Sequence, residues 1–205
     1  MTGPLYNLFV VYGFREAYYQ LTDAEREAFW GRIESVMGTV GSKNLLTCSS
    51  RWCNEGIAAW GLEEFPDLKA VQESARLHEE NLHYRYLDAV TFLGKKEDDA
   101  EIPTIDFPNP IYQLWMVKNS SNESLEAIPE QARQDLFAHV EESVKRNGGV
   151  FLLTCDCNWS TEEYHYFGVT AWPSLEAEQA HFKDTEKIGW HRYVSGRTIL
   201  GTVLT

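Results

Sequence analysis

The sequence has no run of basic residues. Acidic side chains outnumber basic ones by 31 to 18, for a formal net charge of −13. Nucleic acid and anionic membranes need clustered Lys and Arg, so neither is expected as a partner. No apolar stretch approaches the ~18 residues of a spanning helix. The opening MTGPLYNLFVVYG has neither a basic start nor a long apolar centre, so no secretory signal is expected. Cysteine is scarce, at 4 in 205 residues, and without an export signal these thiols are expected reduced in a cytoplasmic protein. No Gly-rich phosphate loop and no Ser-His-Asp pattern is recognisable. Nicotinamide-dependent and serine-hydrolase chemistry are thereby disfavoured. Cys155 and Cys157 stand two apart, but no second Cys-x-x-Cys or paired-His motif completes a ligand set, so no metal site is expected.

What the sequence does contain is enough apolar residue, 43%, to build a core. It also contains itself twice. Leu45-Leu46-Thr47-Cys48 falls on Leu152-Leu153-Thr154-Cys155 at an offset of 107, and Trp52, Glu55, Gly61, Pro66 and Leu68 fall on Trp159, Glu162, Gly168, Pro173 and Leu175. RYLDAVTFLG (85–94) lies on RYVSGRTILG (192–201), and PLYNLFVVY matches PIYQLWMVK with one residue of slippage. Matches at one offset along most of each half indicate duplication. Cys155 therefore has a twin in Cys48, while Cys157 is matched by Ser50, and Cys155 and Cys157 read as ordinary half-buried strand cysteines. The charged, Pro-containing GKKEDDAEIPTIDFPNP reads as a linker. The expected organisation is a first repeat over 1–94, a linker over 95–109 and a second repeat over 110–205.

Periodicity gives each half the same order of elements. In the first half, strands are expected over 5–12, 44–52, 56–64 and 86–93, with helices over 22–38 and 67–82. The second half repeats this as strands over 111–118, 150–158, 163–171 and 193–201, with helices over 129–146 and 174–188. Thr22 or Asp23 is the expected cap of the first helix and Gly38 its stop. β-α-β-β-α-β is the ferredoxin-like unit. Its sheet carries helices on one face only, so the other face needs cover, and a second copy can supply it. The fold class expected is α+β: two tandem ferredoxin-like repeats packed sheet to sheet.

LTDAEREAFWGRI resembles the first helix of EthD-type domains. VTAWPSLEAEQAHFKD (169–184) resembles the third strand and second helix of antibiotic-biosynthesis-type monooxygenases. Fused repeats of this length are similar to the chlorite dismutase branch, which binds haem. Together these place the chain beside the dimeric α+β-barrel superfamily. The resemblance implies a barrel pocket, and it implies either no cofactor or haem. Haem-degrading oxygenases of this fold use an Asn on the first strand, a Trp after the third strand and a His on the second helix. Asn7 answers the first in one half, and Trp172 and His181 answer the others in the second half, where Gln113 replaces the Asn. In the chlorite dismutase branch the haem ligand lies near the end of the first helix of the second repeat, which points to His139 as the cofactor-binding residue.

Strand alternation gives further candidates. Thr47, Ser49 and Arg51 share one face, as do Thr154, Asp156 and Asn158, and each set reads as a polar wall. His78 falls near one face of its helix with Leu68, Val71, Ala75 and Leu82, where it could act as a general base. The first half carries Asn7, Arg51 and His78. The second places bulky Tyr164, Tyr166 and Phe182 where the first has Ile57, Ala59 and Ala75. The catalytic site is therefore expected in the first repeat, at His78, Arg51 and Asn7, with the second pocket filled. The expected ligand is a small apolar or aromatic molecule. The expected activity is monooxygenase-like, or that of an isomerase, lyase or cyclase. A haem protein of the chlorite dismutase type and a non-catalytic binding or assembly protein are the alternatives. Fusion of the repeats allows a monomer as well as a homodimer.

Overall fold

The structure is a computed structural model and describes residues 3–204. The chain forms two compact units, the first running to Lys95 and taking in Leu204, the second spanning Lys96–Val203. Residues 1, 2 and 205, which the expected boundaries include, lie outside the described residues.

In the first unit β1 (Leu5–Phe14) is followed by the short α1 (Glu16–Tyr19), α2 (Asp23–Val40), β2 (Lys43–Ser49), β3 (Ala59–Phe65), α3 (Leu68–Glu80), the short α4 (His83–Tyr86) and β4 (Leu87–Lys96). β1 pairs antiparallel with β3 and β4, and β2 pairs with β3, which gives the order β4-β1-β3-β2. This is the ferredoxin-like sheet. Of the linker expected over 95–109, Lys95 and Lys96 belong to β4, and residues 97–109 contain no helix or strand.

The second unit repeats the pattern with β5 (Ile111–Lys118), α5 (Ser121–Glu126), α6 (Glu130–Arg146), β6 (Val150–Asp156), β7 (Tyr164–Trp172), α7 (Leu175–Lys187), a 3-10 turn (Trp190–Arg192) and β8 (Gly196–Val203). Its sheet runs β8-β5-β7-β6. The fold is thus α+β, with two tandem ferredoxin-like repeats.

Register confirms the duplication at atomic detail. Cys48 lies opposite Trp60, and Cys155 lies opposite Phe167, each pair 107 residues from its twin. A bulge between Asn44 and Leu46 recurs between Phe151 and Leu153. Gly61 and Gly168 are the positions that demand glycine. A Cβ on Gly61 would sit 2.3 Å from the Phe9 ring, and one on Gly168 would sit 2.2 Å from the Trp115 ring. In each repeat the bare backbone lets the opposing aromatic lie flat on the sheet.

Several ends differ from the sequence expectation. α2 runs through Gly38 and stops at Gly41, whose φ of 68 places it in the left-handed region. The Gly41 N–H donates to the Met37 carbonyl, closing the helix as left-handed glycines do. Thr22 and Glu25 form the full capping box at the other end. β2 ends at Ser49 and β6 at Asp156, so Arg51, Trp52, Asn158 and Trp159 lie in exposed turns and not on a sheet face. The physical reason is the same in both repeats. Cys53 N–H donates to the Ser50 carbonyl, and Ser160 N–H to the Cys157 carbonyl, turning the chain out of the ladder.

The second unit keeps a compact apolar cluster of Leu125, Leu136 and Val194, with Val117, Ile188, Trp190 and Tyr193 packed on it. α6 and α7 are tied by Arg146, which donates to Asp184 at 2.6 Å. Among the described residues no helix is long and apolar enough to cross a membrane.

Candidate functional site

The three residues expected in the first repeat do not meet. Asn7, on β1, donates its amide N–H to Glu63 Oε2 at 3.0 Å across the strand pair. Arg51 is exposed in the turn after β2. His78 is half-buried on α3 with its ring 4.6 Å from that of His83, in an edge contact, and its Nδ1 atom is buried without a hydrogen-bond partner. Among the described residues none of the three has a hydrogen bond, ion pair or ring contact with another. The helical face expected for His78 is also different, because Leu68, Ala75 and Leu82 are exposed and Ser74 is buried. α1 and α4 fill this region with rings: Phe14 stacks on Tyr18 at 4.1 Å, and Tyr18, Trp30 and Tyr86 surround Phe29.

The second unit instead holds a cavity of about 840 Å³ bounded by its sheet and by α6 and α7. This corrects the expectation of a filled second pocket. Phe182 does not fill it but stands 45% exposed at its wall. Tyr166 also lines it and stacks flat on His165 at 4.1 Å. Trp115 lies back against Gly168, and its indole N–H donates to Thr170 Oγ1 at 3.1 Å. Trp115, Phe151, Phe137 and Phe182 make much of the wall aromatic.

His181 is the central polar group of this cavity. Its Nδ1 lies 3.0 Å from Ser143 Oγ, and its ring packs at 4.9 Å on the buried Trp172. Ser143 Oγ donates to Asp184 Oδ2 at 3.2 Å. Hydrogen bonds from Arg146, Lys187 and Asn147 hold the Asp184 carboxyl well below the usual carboxylate range, so it is a pure acceptor. The Ser143 proton therefore points to Asp184, and Ser143 Oγ must accept from His181 Nδ1–H. Burial pushes the imidazole down to about 4, so at neutral pH it is uncharged. Its proton is on Nδ1, and Nε2 carries a lone pair with no hydrogen-bond partner among the described residues. This is the state in which histidine ligates a metal or accepts a proton.

Next to it stands a second chain of polar groups. The Trp172 indole N–H donates to Gln113 Oε1 at 3.1 Å, and Gln113 Nε2 donates to Glu178 Oε1 at 3.1 Å. Gln113, Glu178 and His181 all line the cavity. The structure thus assembles the Trp172 and His181 singled out in the sequence, with Gln113 in the Asn position. Glu178, Ser143 and Asp184 were missed. Glu178 and His181 are three apart on one helix, which puts them on one face, and that spacing was the available signal.

His139 is exposed on α6, with Nδ1 2.6 Å from the Asp135 carbonyl. It borders a separate, shallower cleft with Ile188 and Tyr193 and is not among the residues lining the large cavity. The four thiols are free, and burial pushes Cys48 and Cys157 up to about 12, so they stay protonated and poorly nucleophilic.

A haem site offers the iron an axial ligand, for which a His nitrogen serves, apolar walls to the ring and cations to the carboxylates. The large cavity has His181 as donor, the aromatic wall just described, and Lys145 and Arg197 among its lining residues. Its volume also falls within the roughly 300–1,000 Å³ of ligand pockets. The residues present fit the group.

No family model matches the sequence, and no curated protein matches it. Solved structures do. A mutant chlorite dismutase from Candidatus Nitrospira defluvii superposes with a TM-score of 0.78 at 11% identity, covering 100% of this chain and 93% of that one. The chlorite dismutase of the same organism in complex with imidazole gives 0.77 at 11% identity, covering 98% and 91%. A further mutant of it in complex with cyanide gives 0.76 at 12%, covering 98% and 91%. The fold is that of these chlorite dismutases.

Proposed function

We propose that the second repeat is a haem site, with His181 as the nitrogen donor. The observation that carries this is the held imidazole. A neutral ring, pinned at Nδ1 by Ser143 and bare at Nε2, stands in the wall of an aromatic cavity of about 840 Å³. Haem, when bound, supplies one-electron and oxygen chemistry. The chain's own residues do the rest. Ser143 and Asp184 orient the donor, Trp172 supports its ring, Trp115 and Phe151 offer flat apolar contact, and Lys145 and Arg197 offer charge to carboxylates.

The likeness to chlorite dismutases supports the reading at the level of the fold. The place of Gln113, Trp172 and His181 supports oxygenase-type chemistry at the same site, with haem or another flat aromatic as the molecule acted on. Against a close match with haem-degrading oxygenases, each end of the Gln113 amide is already engaged by Trp172 or Glu178.

The experiment is a haem titration followed by absorption. The protein is expected to develop a Soret band that saturates at one haem per chain. His181→Ala is expected to weaken or abolish the band, and His139→Ala is expected to leave it. A band that survives His181→Ala and disappears in His139→Ala would move the site to the outer cleft of α6.

A further inference from the structure

The geometry points to Glu178 as the proton-exchanging group of the second-repeat cavity, with Oε2 as the atom that gives its proton to a carbonyl or anionic oxygen of the bound ligand. This rests on the reading of that cavity as the ligand site, and it adds a residue and a role.

The assignment follows from donors and acceptors alone. An indole N–H can only donate, so the amide end facing Trp172 must be the Gln113 carbonyl oxygen. The other end, which faces Glu178, is then the NH₂ group, and Glu178 Oε1 must accept from it at 3.1 Å. Oε1 is an acceptor in both protonation states. The carbonyl oxygen of a protonated carboxyl is the better acceptor, so the Gln113 bond at Oε1 favours the proton on Oε2, which has no hydrogen-bond partner among the described residues. The residue is only 8% exposed, and burial raises its pKa above the ordinary glutamate value, with no neighbouring charge contributing.

The environment is consistent from every side. Gln113 on β5 and Trp172 on β7 are neutral. The titratable and charged groups lining the same cavity are His181 on α7, Glu141 and Lys145 on α6, Tyr166 on β7, Arg197 on β8, and Glu97 and His191 outside the helices and strands just named. His181 is uncharged and carries its lone pair on Nε2, one helical turn from Glu178. The two residues therefore place an acid and a lone-pair donor on the same wall. In the transfer the Oε2–H bond breaks and that proton bonds to the ligand oxygen. The electron pair stays on the carboxylate, where the Gln113 N–H already points, and solvent returns the proton afterwards.

The test uses the full chain with ¹³C-labelled glutamate side chains, followed by NMR against pH. Burial raises Glu63 and Glu97 as well, so several carboxyl carbons are expected to titrate above the exposed glutamates. One of them is expected to vanish in Glu178→Gln, and to titrate higher still in Gln113→Leu, which removes the donor that favours the charged form. Addition of haem to the wild type is expected to shift this carbon alongside the Soret band. A Glu178 carbon that titrates with the exposed glutamates would overturn the proposal. So would a full Soret band that leaves its position and titration unchanged. Absence of any Soret band would instead remove the haem reading, and the ligand-free titration would still decide the state of Glu178.

Discussion

At Ser143 one buried hydroxyl stands between the Asp184 carboxylate and the His181 imidazole. Removing it leaves His181 Nδ1 without its acceptor and lets the tautomer relax. Ser143→Ala is expected to populate the Nε2–H form, read directly from ¹⁵N shifts of the ring, and to weaken haem binding by roughly 10–100-fold, as loss of an outer partner does at metal sites. A ring unchanged in ¹⁵N NMR would show that Ser143 does not set the tautomer. Gly168 has an equally local role. A methyl there meets the Trp115 ring at 2.2 Å and the Leu153 carbonyl at 2.7 Å, and the backbone atom cannot give way. Gly168→Ala is expected to cost about 1–3 kcal/mol in denaturant unfolding. Gly38→Ala, in open space inside α2, is expected to add about 0.5–1 kcal/mol. Equal effects in the two variants would mean that close approach to Trp115 is not what Gly168 provides.

Among the elements, α4 and its junction with α3 carry the sharpest consequences. Burial, and then repulsion from His78, pushes His83 down to about 4. The unfolded chain binds this proton near the ordinary histidine value and the folded chain does not. Stability is therefore full above about pH 6.5 and is lost as pH falls towards 4, by roughly 2–3 kcal/mol from this group. His83→Phe is expected to flatten that part of the stability–pH curve, measured by urea unfolding at pH 7 and pH 5. A slope unaltered by the substitution would place the proton uptake elsewhere. Leu82, between the two helices, is the non-glycine residue with positive φ among the described residues, at 56, and its side chain is half exposed. Leu82→Gly is expected to gain about 1 kcal/mol by relieving the left-handed strain. These short helices were not legible in the sequence, because four residues show no periodicity. The long elements were, since Phe29 is answered by Leu136 and the alternating strands repeat their pattern 107 residues on. Strand ends were overextended at Arg51 and Asn158 because a turn closed by backbone hydrogen bonds leaves no apolar signature.

On the scale of the whole molecule, two copies of one fold are packed differently inside. The first repeat packs Phe14, Tyr18, Phe29 and Trp30 together, and the second keeps a cavity. The sequence pointed the opposite way, because residue size alone does not say where a ring goes. Phe182 and Tyr166 are bulky, yet one leans outward and the other lies flat on His165. Trp172 and His181 could be picked out through their resemblance to a known set. Glu178 could have been, through its spacing from His181, but Ser143 and Asp184 could not, because each acts through a partner that only the folded chain brings near. A crystal structure of the full chain soaked with haem tests the assignment most directly. Porphyrin density is expected in the second-repeat cavity, with the iron at bonding distance from His181 Nε2 and Ser143 still on Nδ1. Density bound at His139 or in the first repeat, or a second-repeat cavity left empty while haem binds elsewhere, would contradict it.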